Sequence, residues 1–354
     1  MLKYENEQGI REEGERTMAI PKIPQLPIDI GALMDAGNIF SKQSERELYV
    51  TVLMDTSIQP ELAAYVKRAL YPNTDTAHLH IEPFFDAAPR IDTLSDICLI
   101  FAAKSGAVGE LVNQSEKRSL PTAVVTLSVD EVAAIAIEAG FPLQEDMLIA
   151  PVSHATENAD DLDSLFKQLG KWITDHCPET RLAFAKAFSF MRIPLARELS
   201  RATAFQNGAI GAAVFIPGAD LPLMTLNQAK MLLQIAAAFG FSLGRERLKE
   251  LAVVLLSALG FRAVSRKLAG YIPLLGWAIK GGIGYSSTLA LGYAATEYFA
   301  SGGEPAGFSD YLRAQIRAQV NKKRSERKAR AESPVAPKIN ILGPGGTGQS
   351  GEES

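Results

Sequence analysis

His78, His80 and Glu82 alternate along one short run, so their side chains share a face of any strand formed there, and imidazole and carboxylate are donors that a zinc ion accepts. Three consecutive same-face positions of one strand spread along its length instead of converging on one ion. They read as a polar sheet face, and no metal is expected. His154 and His176 stand alone, and neither Ser105 nor Ser153 sits in the Gly-x-Ser-x-Gly turn that would sharpen a serine into a nucleophile. Asp160, Asp161 and Asp163, with Glu157 and Asn158 before them, fit the acidic start of a helix. They lack the glycine and distal glutamate of a calcium loop. No catalytic residue and no cofactor follow from these groups.

A phosphate loop is the remaining chemistry to look for. It needs glycines that let backbone N–H groups wrap the phosphates, a lysine for the terminal phosphate and a hydroxyl for magnesium. The apolar run Leu48 to Asp55 is followed by Thr56, Ser57, Ile58, Gln59 and Pro60 and then by a helical pattern, which is the right place for such a loop. It contains neither glycine nor lysine, and Asp55 would repel phosphate. GPGGTG, residues 343–348, has the glycines but no lysine, no strand before it and no helix after it.

The elements that must position these residues are legible in the hydropathy. Short apolar runs at Leu48 to Asp55, His78 to Phe84, Asp96 to Ala102, Thr122 to Ser128 and Met147 to Val152 alternate with helical patterns near 59–70, 106–117, 129–139 and 158–176. A run such as ICLIFAA, apolar at every position, suits a strand covered on both faces, and its alternation with helices predicts a three-layer α/β domain with a mostly parallel sheet. That domain is placed at 46–177. Before it, residues 1–45 form a charged arm and a linker in which Pro21, Pro24 and Pro27 recur every third residue. After it, 178–300 is Ala- and Gly-rich and reads as an all-α hydrophobic domain. A basic helix is expected over 301–330, and a Pro-, Gly- and Ser-rich disordered tail over 331–354.

The chain has 354 residues, room for two domains, and a mild formal charge of −4 that argues neither for nor against nucleic acid as a partner. NKKRSERKAR, residues 321–330, holds six basic side chains against one acidic and could grip anionic headgroups. No aromatics interleave with it, so nucleic acid is not an expected partner. Cys98 lies inside an apolar run and reads as a buried thiol in a reducing compartment. The N-terminal MLKYENEQGIREEGER is charged and lacks the apolar core of a signal peptide, so a cytoplasmic start is expected.

The order of strand, helix, the acidic EPFFDAAP segment, DICLIFAAKSG, PTAVVTLSVDE and MLIAPVSHATENADDLDSLFKQL resembles the layout of a small GTPase domain. In that family an Asn-Lys-x-Asp motif reads guanine; Thr126, Leu127, Ser128, Val129 and Asp130 stand in the corresponding place, leaving Asp130 as a weak base-reading candidate. A Ser-Ala motif is matched at most by Val152 and Ser153, and Asp-x-x-Gly has no match near Asp86. The resemblance therefore implies a pseudo-GTPase that keeps the fold without the hydrolysis.

In the helical half, Thr225 followed by Gln228 reads as a capping box that starts a helix at Leu226, and Gly240 is placed to stop it. Met231, Ile235 and Phe239 make its apolar stripe, and Gln228 and Gln234 are expected in capping and interhelix hydrogen bonds. Gly276, Lys280, Gly284, Thr288 and Gly292 recur every fourth residue, a ridge of mostly small side chains that suits close helix packing or a membrane seam. Leu221, Pro222, Thr225, Gln228, Met231 and Gly240, the Gly244-Arg-Glu-Arg stretch and the glycine-punctuated run to Phe299 make residues 208–300 resemble domain of unknown function 697. That is a bacterial helical module found behind GTPase domains and in YcjF-like membrane proteins.

The resemblance and the segment's hydrophobicity together lead to the expectation of a transmembrane or shallowly inserted helix around 250–299, although Lys280 would cost about 3 kcal/mol at the bilayer centre. The resulting functional expectation is a non-catalytic, membrane-associated adaptor at the cytoplasmic face of the membrane, with lipid and either a protein partner or a second copy as its contacts. The alternatives are a soluble helical interaction or oligomerisation module in the cytoplasm, and a residual nucleotide binder using an atypical loop at Asp55 to Gln59.

Overall fold

A computed structural model describes residues 30–151, 159–213, 221–243 and 276–304, positions 307 and 308, and scattered positions between 310 and 325. These fall into two compact units, one ending at Ser309 and the other beginning at Asp310. The sheet and the long helices all belong to the first unit. Val152, Ser153, His154, the Gly244 stretch and the tail lie outside the described residues.

The first unit contains a five-stranded, all-parallel sheet in the order β2-β1-β3-β4-β5. Its strands are β1 (Leu48–Asp55), β2 (Ala77–Phe84), β3 (Ile97–Phe101), β4 (Thr122–Val125) and β5 (Leu148–Ile149). The chain leaves β1 through α2 (Pro60–Ala69) toward one edge and leaves β3 through α3 (Val108–Glu116) toward the other, so the switch point lies between β1 and β3. β4 is shorter than the apolar run suggests because the Thr126 hydroxyl accepts the Ser128 N–H at 3.1 Å and turns the chain into α4 (Val129–Glu138).

Both faces of the sheet are covered, which explains the unbroken apolar strands. Cys98, Ile100 and Val124 point into a core with Leu111, Val112 and Val132 of α3 and α4. On the opposite face Phe101 stacks on Phe166 of α5 (Ala159–His176), which also meets Tyr65 of α2. Residues 30–44, read from the sequence as the end of a linker, form α1, with Leu33 and Ala36 buried.

The helical region comprises α6 (Arg181–Ala187), α7 (Ser189–Ala213), α8 (Leu221–Ala238) and a last long helix, here α9 (Gly276–Ala300). α8 starts five residues before the position set by the capping-box reading. Pro222 falls in the first turn, where a missing N–H loses no helical bond, so the helix begins ahead of it and Thr225 and Gln228 become interior residues. It ends at Gly240, whose φ of +88° allows the Phe241 N–H to reach the Ala236 carbonyl at 3.0 Å.

The transmembrane expectation is overturned: among the described residues no helix is long and apolar enough to cross a membrane. α9 has the length, at 25 residues. Its glycines, Ser286, Ser287, Thr288 and Tyr285 dilute the apolar character that a lipid-facing surface requires.

Candidate functional site

In an open parallel sheet the ligand position is the crevice beyond the carboxyl ends of the strands at the switch point. Here it is a cleft of about 190 Å³ lined by the turns after β1, β3 and β4, including Ser57, Gln59, Lys104, Thr126, Ser128 and Glu131. Gln59 precedes α2 in extended conformation, and Pro60 at the first helical position sets the exit angle of the β1 turn.

Asp55, the last residue of β1, lies behind this lining and holds two of its residues, Ser57 and Ala103. Its carboxylate is fully buried and accepts four hydrogen bonds. Oδ1 takes the Ser57 N–H at 2.8 Å and the Ser57 hydroxyl at 2.6 Å. Oδ2 takes the Ala103 and Ser105 N–H groups, each at 2.9 Å. Between these two, the Lys104 N–H donates to the Ser57 hydroxyl at 3.1 Å. Two amides of the β3–α3 turn thus converge on one carboxylate oxygen, and the amide between them reaches the Ser57 hydroxyl that the same carboxylate holds, an arrangement that makes an anion cradle. The anion in it is the chain's own Asp55.

Burial raises the Asp55 pKa, but the bonds from the Ser57 hydroxyl and N–H and from the Ser105 and Ala103 N–H groups outweigh it, and the carboxyl titrates below its ordinary 3.8. Ser105 completes the turn. Its hydroxyl accepts the Ala107 N–H at 3.1 Å and donates to the Phe85 carbonyl, which ties the β2–β3 connection to the same loop. Sequence reading takes Asp55 as hostile to phosphate but misses what it binds. The Ala103, Lys104, Ser105, Gly106 stretch after the buried β3 is the available signal, and its partner lies about fifty positions earlier in the chain.

No relative enters from outside: no family model, no curated protein and no solved structure matches this chain. The site is therefore read from its own geometry.

Asp130 lies exposed in the first turn of α4 and is not among the residues lining the cleft, whereas Glu131 is. His80 pairs with Glu82 at 3.2 Å, while His78 turns to Glu47 at 2.5 Å and stacks on Tyr49. Among the described residues no group of three or more His, Cys, Asp or Glu side chains is placed to hold a metal ion. The His176 ring stacks on Trp172, with centroids 4.4 Å apart, and Nδ1–H donates to the Trp172 carbonyl. Cys98 and Cys177 are buried, and burial pushes each thiol up to about 12.

The glycine ridge of α9 is spent inside the bundle. A Cβ at Gly284 would stand 2.7 Å from the Asn207 carbonyl oxygen of α7 and 2.6 Å from Met224 Cε of α8, and one at Gly292 would collide with Ser200. Between them Thr288 is fully buried, accepts Asn207 Nδ2–H at 3.0 Å and Gln228 Nε2–H at 2.6 Å, and donates to the Gly284 carbonyl at 2.8 Å. Asn227 and the Met224 carbonyl extend this network through Asn207. Among the described residues Gln228 Oε1 is buried with no partner. For Gly276 and Lys280, at the start of α9, the backbone alone is described. Leu221 and Pro222 open α8, and Met231 is buried beside the α9 seam, 3.2 Å from the position a Gly292 Cβ would take.

Proposed function

We propose that this chain is a non-catalytic adaptor: a GTPase-like α/β scaffold whose ligand crevice is closed from within, joined to a helical bundle that contacts partners. The observation that carries the reading is the Asp55 carboxylate in the β3–α3 amide cradle. A nucleotide phosphate brought to the same amides would meet a buried negative charge at hydrogen-bond distance and would have to displace the two hydrogen bonds they already give to Asp55. The likeness of 208–300 to domain of unknown function 697 belongs to this proposal.

The test is a titration of the full chain with a fluorescent GTP analogue and, in parallel, with inorganic phosphate. No saturable binding is expected up to millimolar ligand. Saturable binding, competed by unlabelled GTP, would overturn the reading.

A second reading, peripheral attachment to a membrane surface, is favoured by four exposed apolar or aromatic side chains of the bundle, Phe205, Leu223, Tyr285 and Tyr293. Tyrosines with an apolar body and a wet hydroxyl suit the headgroup boundary. Flotation with anionic vesicles tests it. Retention that survives high salt and is lost on Phe205→Ser would support attachment through this surface, and absence from the vesicle fraction would remove it.

A further inference from the structure

β2 is the outermost strand, eight residues long, and its pairing with β1 fixes which backbone groups it leaves over. The Thr76 and Phe84 carbonyls accept the Leu48 and Thr56 N–H groups, at 2.9 and 3.0 Å, so the even-numbered residues turn their peptide groups toward β1. Ala77, Leu79, Ile81 and Pro83 turn theirs outward. Pro83 therefore removes no bond to β1, as a proline of an edge strand must. The outer edge offers the N–H groups of Ala77, Leu79 and Ile81 and the carbonyls of all four residues. Ile81, a β-branched apolar residue, is 52% exposed on it.

Among the described residues no strand pairs with this edge, and an edge of this length is a template for another strand. Its sequence selects the strand. Read against itself antiparallel about His80, AHLHIEPF places His78 opposite Glu82, Leu79 opposite Ile81 and Ala77 opposite Pro83, each pair occurring twice by symmetry. We propose that two copies of this chain join β2 to β2 about a twofold axis at His80, making one continuous sheet.

The peptide directions agree with the side chains. Leu79 and Ile81 have outward backbone groups, so they form the hydrogen-bonded pairs, each exchanging two bonds with its partner. His78 and Glu82 then fall in non-hydrogen-bonded pairs, where the Cα atoms are about 4.5 Å apart and cross-strand side chains meet most closely. Neighbouring registers are poorer. An axis at Leu79 sets His78 against His80 and leaves Glu82 unopposed. An axis at Ile81 sets His80 against Glu82 but keeps fewer backbone bonds, since only Ile81 and its own image then exchange two, whereas about His80 both Leu79–Ile81 pairs do and Pro83 faces only the terminal Ala77. His78 and Glu82 already pair within the chain, with Glu47 and His80, and across the axis they join these pairs into one run of alternating imidazole and carboxylate groups, which favours a second copy over an unrelated strand. This inference concerns the sheet edge and does not depend on the cleft being closed.

The first experiment is light scattering on the full chain, with Ile81→Pro beside the wild type. That substitution deletes an outward N–H and leaves the β1 ladder whole, so circular dichroism should match the wild type. The wild type is expected at twice the 38.2 kDa of the chain and Ile81→Pro at the single mass. The second experiment fixes the register. His80→Cys places two thiols at the axis, within the Cα range of a disulfide, and should form a reducible cross-linked dimer under mild oxidation. Ile81→Cys should cross-link far less, since residue 81 faces residue 79 of the other copy. With Cys98 and Cys177 buried, the wild type should give no cross-link. Glu82→Lys should weaken the dimer about tenfold, and the swapped pair His78→Glu with Glu82→His should restore it. A monomeric wild type overturns the proposal, as does a dimer that persists in Ile81→Pro or one in which His80→Cys fails to cross-link.

Discussion

Asp55→Asn changes one atom of a buried side chain and should cost far more than its size suggests. Both carboxylate oxygens accept two hydrogen bonds, Oδ1 from Ser57 and Oδ2 from Ala103 and Ser105. An amide keeps one acceptor, so either orientation sets an NH₂ group against two donors. Two charge-assisted bonds of about 1.5 kcal/mol each are lost, roughly 3 kcal/mol or about a hundredfold in the folding equilibrium. Urea unfolding followed by the fluorescence of Trp172, buried beside β5 with its indole N–H on the Asp146 carbonyl, would report it. The pH dependence supplies an independent check. The native pKa of Asp55 lies below 3.8, so its stabilisation is complete above that pH and is lost as pH falls toward the native value. One proton sets the steepest slope at about 1.4 kcal/mol per pH unit, and Asp55→Asn should remove that part of the acid limb. A variant within about 0.5 kcal/mol of the wild type, with an unchanged acid limb, would refute the account of the cradle.

Three further outcomes concern the bundle. Gly284→Ala, whose methyl meets the Asn207 carbonyl and Met224, should destabilise by about 1–3 kcal/mol, whereas Gly282→Ala, with open space around it, should be neutral or gain up to about 1 kcal/mol; thermal melts of the pair separate packing from propensity. Thr288→Val removes the oxygen that both Asn207 and Gln228 donate to and should cost about 2–4 kcal/mol in chemical denaturation. Gln228→Met removes the amide that carries the unpartnered Oε1 and should stay within about 1 kcal/mol of the wild type by the same measurement, since Asn207 still serves Thr288.

The sheet is legible in the sequence because a strand buried on both faces must be apolar at every position, and ICLIFAA meets that requirement with no help from distant residues. Its mostly parallel character follows from the helices between the strands. The closure of the cleft is not legible, because Asp55 and the 103–105 amides are neighbours only after β1 and β3 pair. Backbone donors leave no trace in side-chain identity. Gly284 and Gly292 pack close against α7 and α8, but the ridge in the sequence leaves its occupant open: small residues at every fourth position look alike in a membrane seam and in a bundle. At Thr288 the occupants are amides of α7 and α8, which donate to its hydroxyl. The start of α8 is misplaced by the capping pattern because a Thr with a Gln three residues on satisfies it equally well inside a helix whose proline marks the true first turn.

Phe166 touches Phe101 of β3 and Tyr65 of α2, and it meets Phe190 of α7 edge-on at 5.2 Å. One ring is therefore common to the sheet and to the helices after it, and the connection between them is a weld where a linker would have been a swivel. The sheet and the bundle therefore share one packed aromatic core, and Phe166→Ala would loosen both at once.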